Sequence, residues 1–142
     1  MSLALRGPCG PLPSTPDGRR NGSLKRNPLI CCATGGRNPE ALAETVRLAE
    51  LLALPVLDCD RVDRLNFPST HPLYGTGPEI KDADALLMLE ALVAYTTPES
   101  APKPGSKVIW ADADPVMSAY KTMDFQADLW LPVTATIAAR QL

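Results

Sequence analysis

Aromatic side chains are scarce in this 142-residue chain, at 5%, and there is a single histidine, His71. One histidine excludes every metal centre built on two and removes the usual zinc hydrolase sites. No apolar run approaches the ~20 residues that cross a bilayer, so a transmembrane protein is excluded. The four cysteines, Cys9, Cys31, Cys32 and Cys59, form no C-x-x-C pair, and with no secretory leader in view reduced thiols and a cytoplasmic setting are expected. G-x-S-x-G, G-x-G-x-x-G and G-x-x-x-x-G-K-[ST] are all missing, which leaves no serine elbow and no standard phosphate loop. What is abundant is proline, 15 residues, about twice the usual ~5% share.

Charge is uneven. Residues 1–27 hold Arg6, Arg19, Arg20, Lys25 and Arg26 against Asp17 alone, a net +4, so the remainder carries −6 of the overall −2. An acidic body is a poor partner for nucleic acid. The basic stretch also holds Pro8, Pro11, Pro13 and Pro16 among four glycines. It reads as an irregular N-terminal tail or linker whose prolines break the amphipathic helix of a transit peptide.

From Pro28 the pattern changes. Pro28 to Thr34 is a continuous apolar run of the kind buried on both faces of a parallel sheet. Gly35-Gly36-Arg37 closes it. Asn38 can cap a helix that begins with Pro39 and Glu40. Leu42, Thr45, Val46, Ala49 and Leu52 then recur at helical spacing as its buried stripe, and the helix stops near Pro55. Strands are expected at 55–60, 85–89, 107–112 and 127–131, with a helical pattern over 133–142 and proline-rich loops at 61–78 and 94–106. Strand, helix of about fifteen residues and strand is the spacing of a right-handed βαβ unit, so the class is α/β.

Ligands of open α/β sheets sit at the carboxyl ends of strands. Those ends hold Thr34-Gly35-Gly36-Arg37-Asn38, Asp58 with Asp60, Glu90, and Asp112 with Asp114. A glycine turn feeding a helix can receive an anion on backbone N–H groups, or it can simply be a tight turn. The aspartates suit a magnesium or phosphoacceptor site, or turn caps. A receiver domain is disfavoured, because its first strand would end in acids where this chain has Cys32-Ala33-Thr34. His71, in a loop, could serve as a general base only with a partner and a pocket.

Several stretches together resemble the central domain of thiamine diphosphate-dependent enzymes of the acetolactate synthase-like and decarboxylase group. They are Pro28-Leu29-Ile30 into Thr34-Gly35-Gly36-Arg37, Ala49-Glu50-Leu51 leading to Leu54-Pro55-Val56, Asn66-Phe67-Pro68 with His71-Pro72-Leu73-Tyr74-Gly75, Ile80 to Leu89, Lys107 to Pro115, and Phe125 to Leu131. The resemblance covers 28–142. It implies a Rossmann-like three-layer domain with a parallel sheet of five to six strands. It also implies chemistry run elsewhere. In the family, thiamine diphosphate and magnesium are held by flanking domains, one supplying an activating glutamate and the other a GDG…N motif that this chain lacks. The expected role is therefore structural, with no catalytic residue and no turnover by this polypeptide alone, and the expected partners are other domains or subunits of such an enzyme.

Some members bind FAD or ADP on this domain. By position, Gly35, Gly36, Arg37, Asn38, His71, Gly75, Asp112 and Asp114 would line that groove, which makes an adenine-nucleotide or FAD module the first alternative. Glu90 argues against it, standing where the family usually has glycine and repelling a pyrophosphate. The family also places an amphipathic helix before the first strand. Here Asp17 to Ser23 breaks one, so one sheet face is expected to lack its cover and to invite a partner or a second copy, the oligomeric-scaffold alternative.

Overall fold

The apolar run after the tail forms the strand expected of it. The computed structural model describes residues 27–59, 65–115 and 125–142; nearly all of the expected tail, Asp60, and most of the link between the last two strands lie outside them. β1, Pro28–Cys32, is followed by a single 3-10 turn at Gly35–Arg37 and by α1, Pro39–Leu52. β2, Val56–Asp58, completes the unit. β3, Ala85–Leu89, β4, Lys107–Asp112, β5, Leu129–Pro132, and α2, Ala135–Gln141, follow. The run Ala85 to Leu89, whose apolar pattern alone also allows a helix continuing to Val93, is a strand.

All five strands pair in parallel, in the order β2-β1-β3-β4-β5. A sixth position sits outside β2. Val56 N donates to Leu73 O at 2.9 Å and Gly75 N donates to Val56 O at 2.8 Å, a one-residue parallel bridge between Val56 and Tyr74. Counting it, the chain-order positions run 3-2-1-4-5-6, the Rossmann order. The direction of winding reverses between β1 and β3, and that places the crevice considered below.

Alternation along each strand feeds two cores. Ile30, Cys32, Leu89 and Ala111 face α1 and α2 and meet Ala41, Leu48 and Ala49 of the first helix and Ala135, Ala138 and Ala139 of the second. The small alanines let the helices lie close to the sheet. Arg140 joins them at the surface, with Nη2 2.8 Å from Glu40 Oε1 and Nε 3.0 Å from Glu44 Oε1. Leu29, Cys31, Leu86, Met88, Val108 and Trp110 form the opposite face. That face is not bare as expected: these residues are at most 6% exposed. Among the described residues coil and short turns cover it, with Ile80, Ala83, Ala91 and Ala94 packed on the strands together with Tyr95 and Phe125. Four of the seven aromatics gather on this face, Trp110 stacking on Phe125 and lying 5.7 Å from Trp130.

Two local readings need correction. Leu52 has the right azimuth for the buried stripe of α1 but ends the helix beyond the sheet's cover and is 50% exposed, while Leu48, not expected, is buried. The cysteines also depart from the reduced state expected of them. Cys31 is paired with Cys59 as a disulfide, Cα atoms 5.8 Å apart across 28 residues. The register explains the meeting: Cys31 lies opposite Leu57, so Cys59 is its diagonal neighbour on the same face. Cys32 is free and buried, as a small core hydrophobe should be.

Candidate functional site

The crevice at the carboxyl ends of β1 and β3 is built from the segments that leave those strands. On the β1 side, Thr34 leads into the glycine turn and α1. Asn38 caps that helix: its Oδ1 accepts from Glu40 N at 3.0 Å, and its Nδ2 donates to Thr136 Oγ1 at 3.2 Å. On the β3 side stands Glu90, in a left-handed backbone conformation with φ +48°. Its backbone N donates to Ala111 O, and its carbonyl accepts from both Thr34 N at 3.2 Å and Thr34 Oγ1 at 3.0 Å. Its carboxylate turns toward α2, where Oε1 accepts from Ala135 N at 2.9 Å.

The glycine turn is equally engaged. Gly36 N donates to Asn66 Oδ1 at 3.0 Å, Arg37 N to Thr34 O and Asn38 N to Gly35 O. A side chain on Gly36 would place its Cβ 1.8 Å from Leu65 O, so the glycine here admits a neighbouring loop. Asn66, buried, donates from Nδ2 to Asp58 Oδ1 at 3.2 Å, and Tyr74 donates its hydroxyl to Asp58 Oδ2 at 2.6 Å. That bond above all, then burial and the charge of Asp58, raises the Tyr74 pKa and keeps the phenol protonated. Beneath the crevice, burial first and the Asp58 and Glu90 carboxylates second push the Cys32 thiol far up. A thiol so held is no nucleophile at neutral pH.

Of the residues expected to line a groove, the structure gathers some and separates others. Gly35, Gly36, Arg37 and Asn38 lie together beside Glu90. Arg37 is exposed, and its side chain makes no ion pair among the described residues. Asp112 ends β4 on the same rim, two strands from β1 and so about 10 Å away. Its Oδ1 accepts from Asp114 N at 2.9 Å, the closed turn of a strand-end aspartate. His71 is elsewhere. Its Nε2 stands 3.3 Å from Glu50 Oε1, near the far end of α1, roughly 18 Å along the helix from Asn38. Leu73 N donates to His71 Nδ1 at 3.2 Å, which leaves the proton on Nε2 facing Glu50, and the ring packs edge-on against Phe67. His71 therefore holds a turn. Gly75, with φ +66°, belongs to the same bridge at the start of β2. Asn66, Tyr74 and Thr136 join the crevice network although none of them is among the residues expected to line the groove.

Among solved structures, the same fold occurs in a Mycobacterium smegmatis protein described as a thiamin diphosphate-dependent enzyme (21% identity, TM-score 0.61). It occurs also in benzoylformate decarboxylase from Polynucleobacter necessarius (22%, 0.63) and in the thiamine diphosphate-dependent 4-hydroxybenzoylformate decarboxylase of Rhodococcus jostii RHA1 (24%, 0.61). The likeness is one of fold. It covers 82–84% of this chain but only 24–25% of those proteins, so the chain spans about a quarter of their length. No protein-family profile and no curated protein matches the chain.

The groups this fold brings to mind can be tested against the residues. A magnesium diphosphate needs a cluster of hard donors, and the described residues gather no set of three His, Cys, Asp or Glu side chains that could hold a metal ion. A flavin or adenine nucleotide needs free amides at the glycine turn, and those of Gly36, Arg37 and Asn38 are already bonded within the chain. Neither group fits the described residues. No described helix is long and apolar enough to cross a membrane.

Proposed function

We propose that this chain is a central-type domain of a thiamine diphosphate-dependent, decarboxylase-like enzyme, with a structural role and no turnover of its own. The observation that carries the reading is the fold shared along 84% of the chain with a quarter of a benzoylformate decarboxylase. In this reading thiamine diphosphate and magnesium are held by residues outside this domain, and its partners are the other domains or subunits of such an enzyme. What the domain supplies is a rigid sheet of fixed geometry against which they pack.

The test is direct. The purified chain is given thiamine diphosphate, magnesium and a 2-oxo acid, benzoylformate or pyruvate, and carbon dioxide is followed. No release above the protein-free control is expected. Sustained decarboxylation that follows the protein through purification overturns the proposal.

A further inference from the structure

We infer that the crevice between the carboxyl ends of β1 and β3 is sealed from within, the Glu90 carboxylate and the Asn66 carboxamide occupying the backbone amides that a phosphate-bearing cofactor would require, so that this domain takes neither an adenine nucleotide nor a flavin. The winding order makes this crevice the place where such a ligand belongs, so its contents decide the matter. On the β1 wall, Asn66 Oδ1 sits 3.0 Å from Gly36 N, and Asn66 is itself 2% exposed and fixed from behind by Asp58. The loop carrying Asn66 comes so close that Leu65 O fills the space a side chain on Gly36 would take. A phosphate could reach this amide only by displacing a buried carboxamide and the backbone beside it.

On the β3 wall the occupant is charged. The left-handed turn at Glu90 points its side chain back across the crevice to Ala135 N. The same residue's carbonyl takes both donors of Thr34. One residue thus closes three openings: the end of β1, the end of β3 and the start of α2. A carboxylate placed there also repels an incoming phosphate. Acceptors from the protein stand where acceptors from a ligand would otherwise stand. This inference is independent of the proposed role, since a sealed crevice is compatible with either an active or an inactive polypeptide.

The experiment uses the full chain. Isothermal titration with ADP and with FAD, each to about 1 mM, is expected to give no saturable heat, and neither ligand is expected to raise Tm. The seal itself is read from variants. Glu90→Ala, which removes the cap, is expected to lower Tm by about 3–6 °C, and Glu90→Gln, which keeps an oxygen acceptor, by less. Hydrogen exchange at the Ala135 amide of the unaltered protein reads the same contact without mutation, and protection there is expected. Saturable binding of ADP or FAD overturns the inference. So does an unprotected Ala135 amide, including where Glu90→Ala fails to fold. Decarboxylation by the chain would end the structural role proposed above and leave the seal standing, while nucleotide binding without turnover would do the reverse.

Discussion

Gly36 and Cys32 show how single positions hold the molecule. At Gly36 the constraint is space: any side chain meets the Leu65 carbonyl at 1.8 Å. Gly36→Ala must push that loop away, loosening Asn66 from both Gly36 and Asp58. A loss of about 1–3 kcal/mol is expected, measured as a lower urea midpoint; an unchanged midpoint would show that the loop yields freely. At Cys32 the constraint is charge. Burial raises the folded thiol's pKa well above the ~8.5 of an exposed one. As pH rises, the unfolded chain releases this proton first. The contribution is therefore fully present below about pH 8.5 and is lost above it, by up to about 1.4 kcal/mol for each pH unit. Urea midpoints at pH 7.5 and pH 10 test this. Cys32→Ala is expected to lose less stability over that interval than the unaltered protein, and equal losses count against the account.

At the scale of the element, the helices and strands were readable because their signals are local. Asn38, Pro39 and Glu40 announce the start of α1, Pro55 announces its end, and the unalternating run from Leu29 to Ala33 announces a strand buried on both faces. The limits of local reading show in the same helix. Periodicity gives an azimuth and says nothing about how far the sheet extends beneath it, so it takes in Leu52, which is exposed, and passes over Leu48, which is buried. The distinction can be measured. Leu48→Ala is expected to cost about 2–5 kcal/mol, and Leu51→Gln, at a side chain 67% exposed, less than about 0.5 kcal/mol. Comparable costs at the two positions would mean that α1 is rotated from the orientation described. The crevice was less legible still. The glycine turn, Glu90 and Asp112 could be placed on one rim from strand ends alone. That Asn66 would reach back 30 residues to Gly36, or Glu90 forward 45 to Ala135, depends on register and winding. The removal of His71 from the rim depends on which end of α1 its loop crosses.

For the molecule as a whole, the five-strand reading and the six-strand implication of the family are reconciled by one residue, Tyr74, whose single bridge occupies the outermost place beside β2. Absence of carbon dioxide release in the reconstitution above is the outcome expected of the proposed role, because in that reading the groups that hold and activate thiamine diphosphate lie outside this domain. The bonds that hold α2 set an order of events. α2 has seven residues, too few to persist alone in water. It is held at one end by Glu90 and at the other by Arg140 reaching across 100 residues to Glu40. α2 comes after every other described element in the chain, so Glu90, Glu40 and α1 are all made before it. The part of α1 that α2 covers therefore stays open until α2 joins it, and a chaperone or a partner domain would find it accessible in that interval.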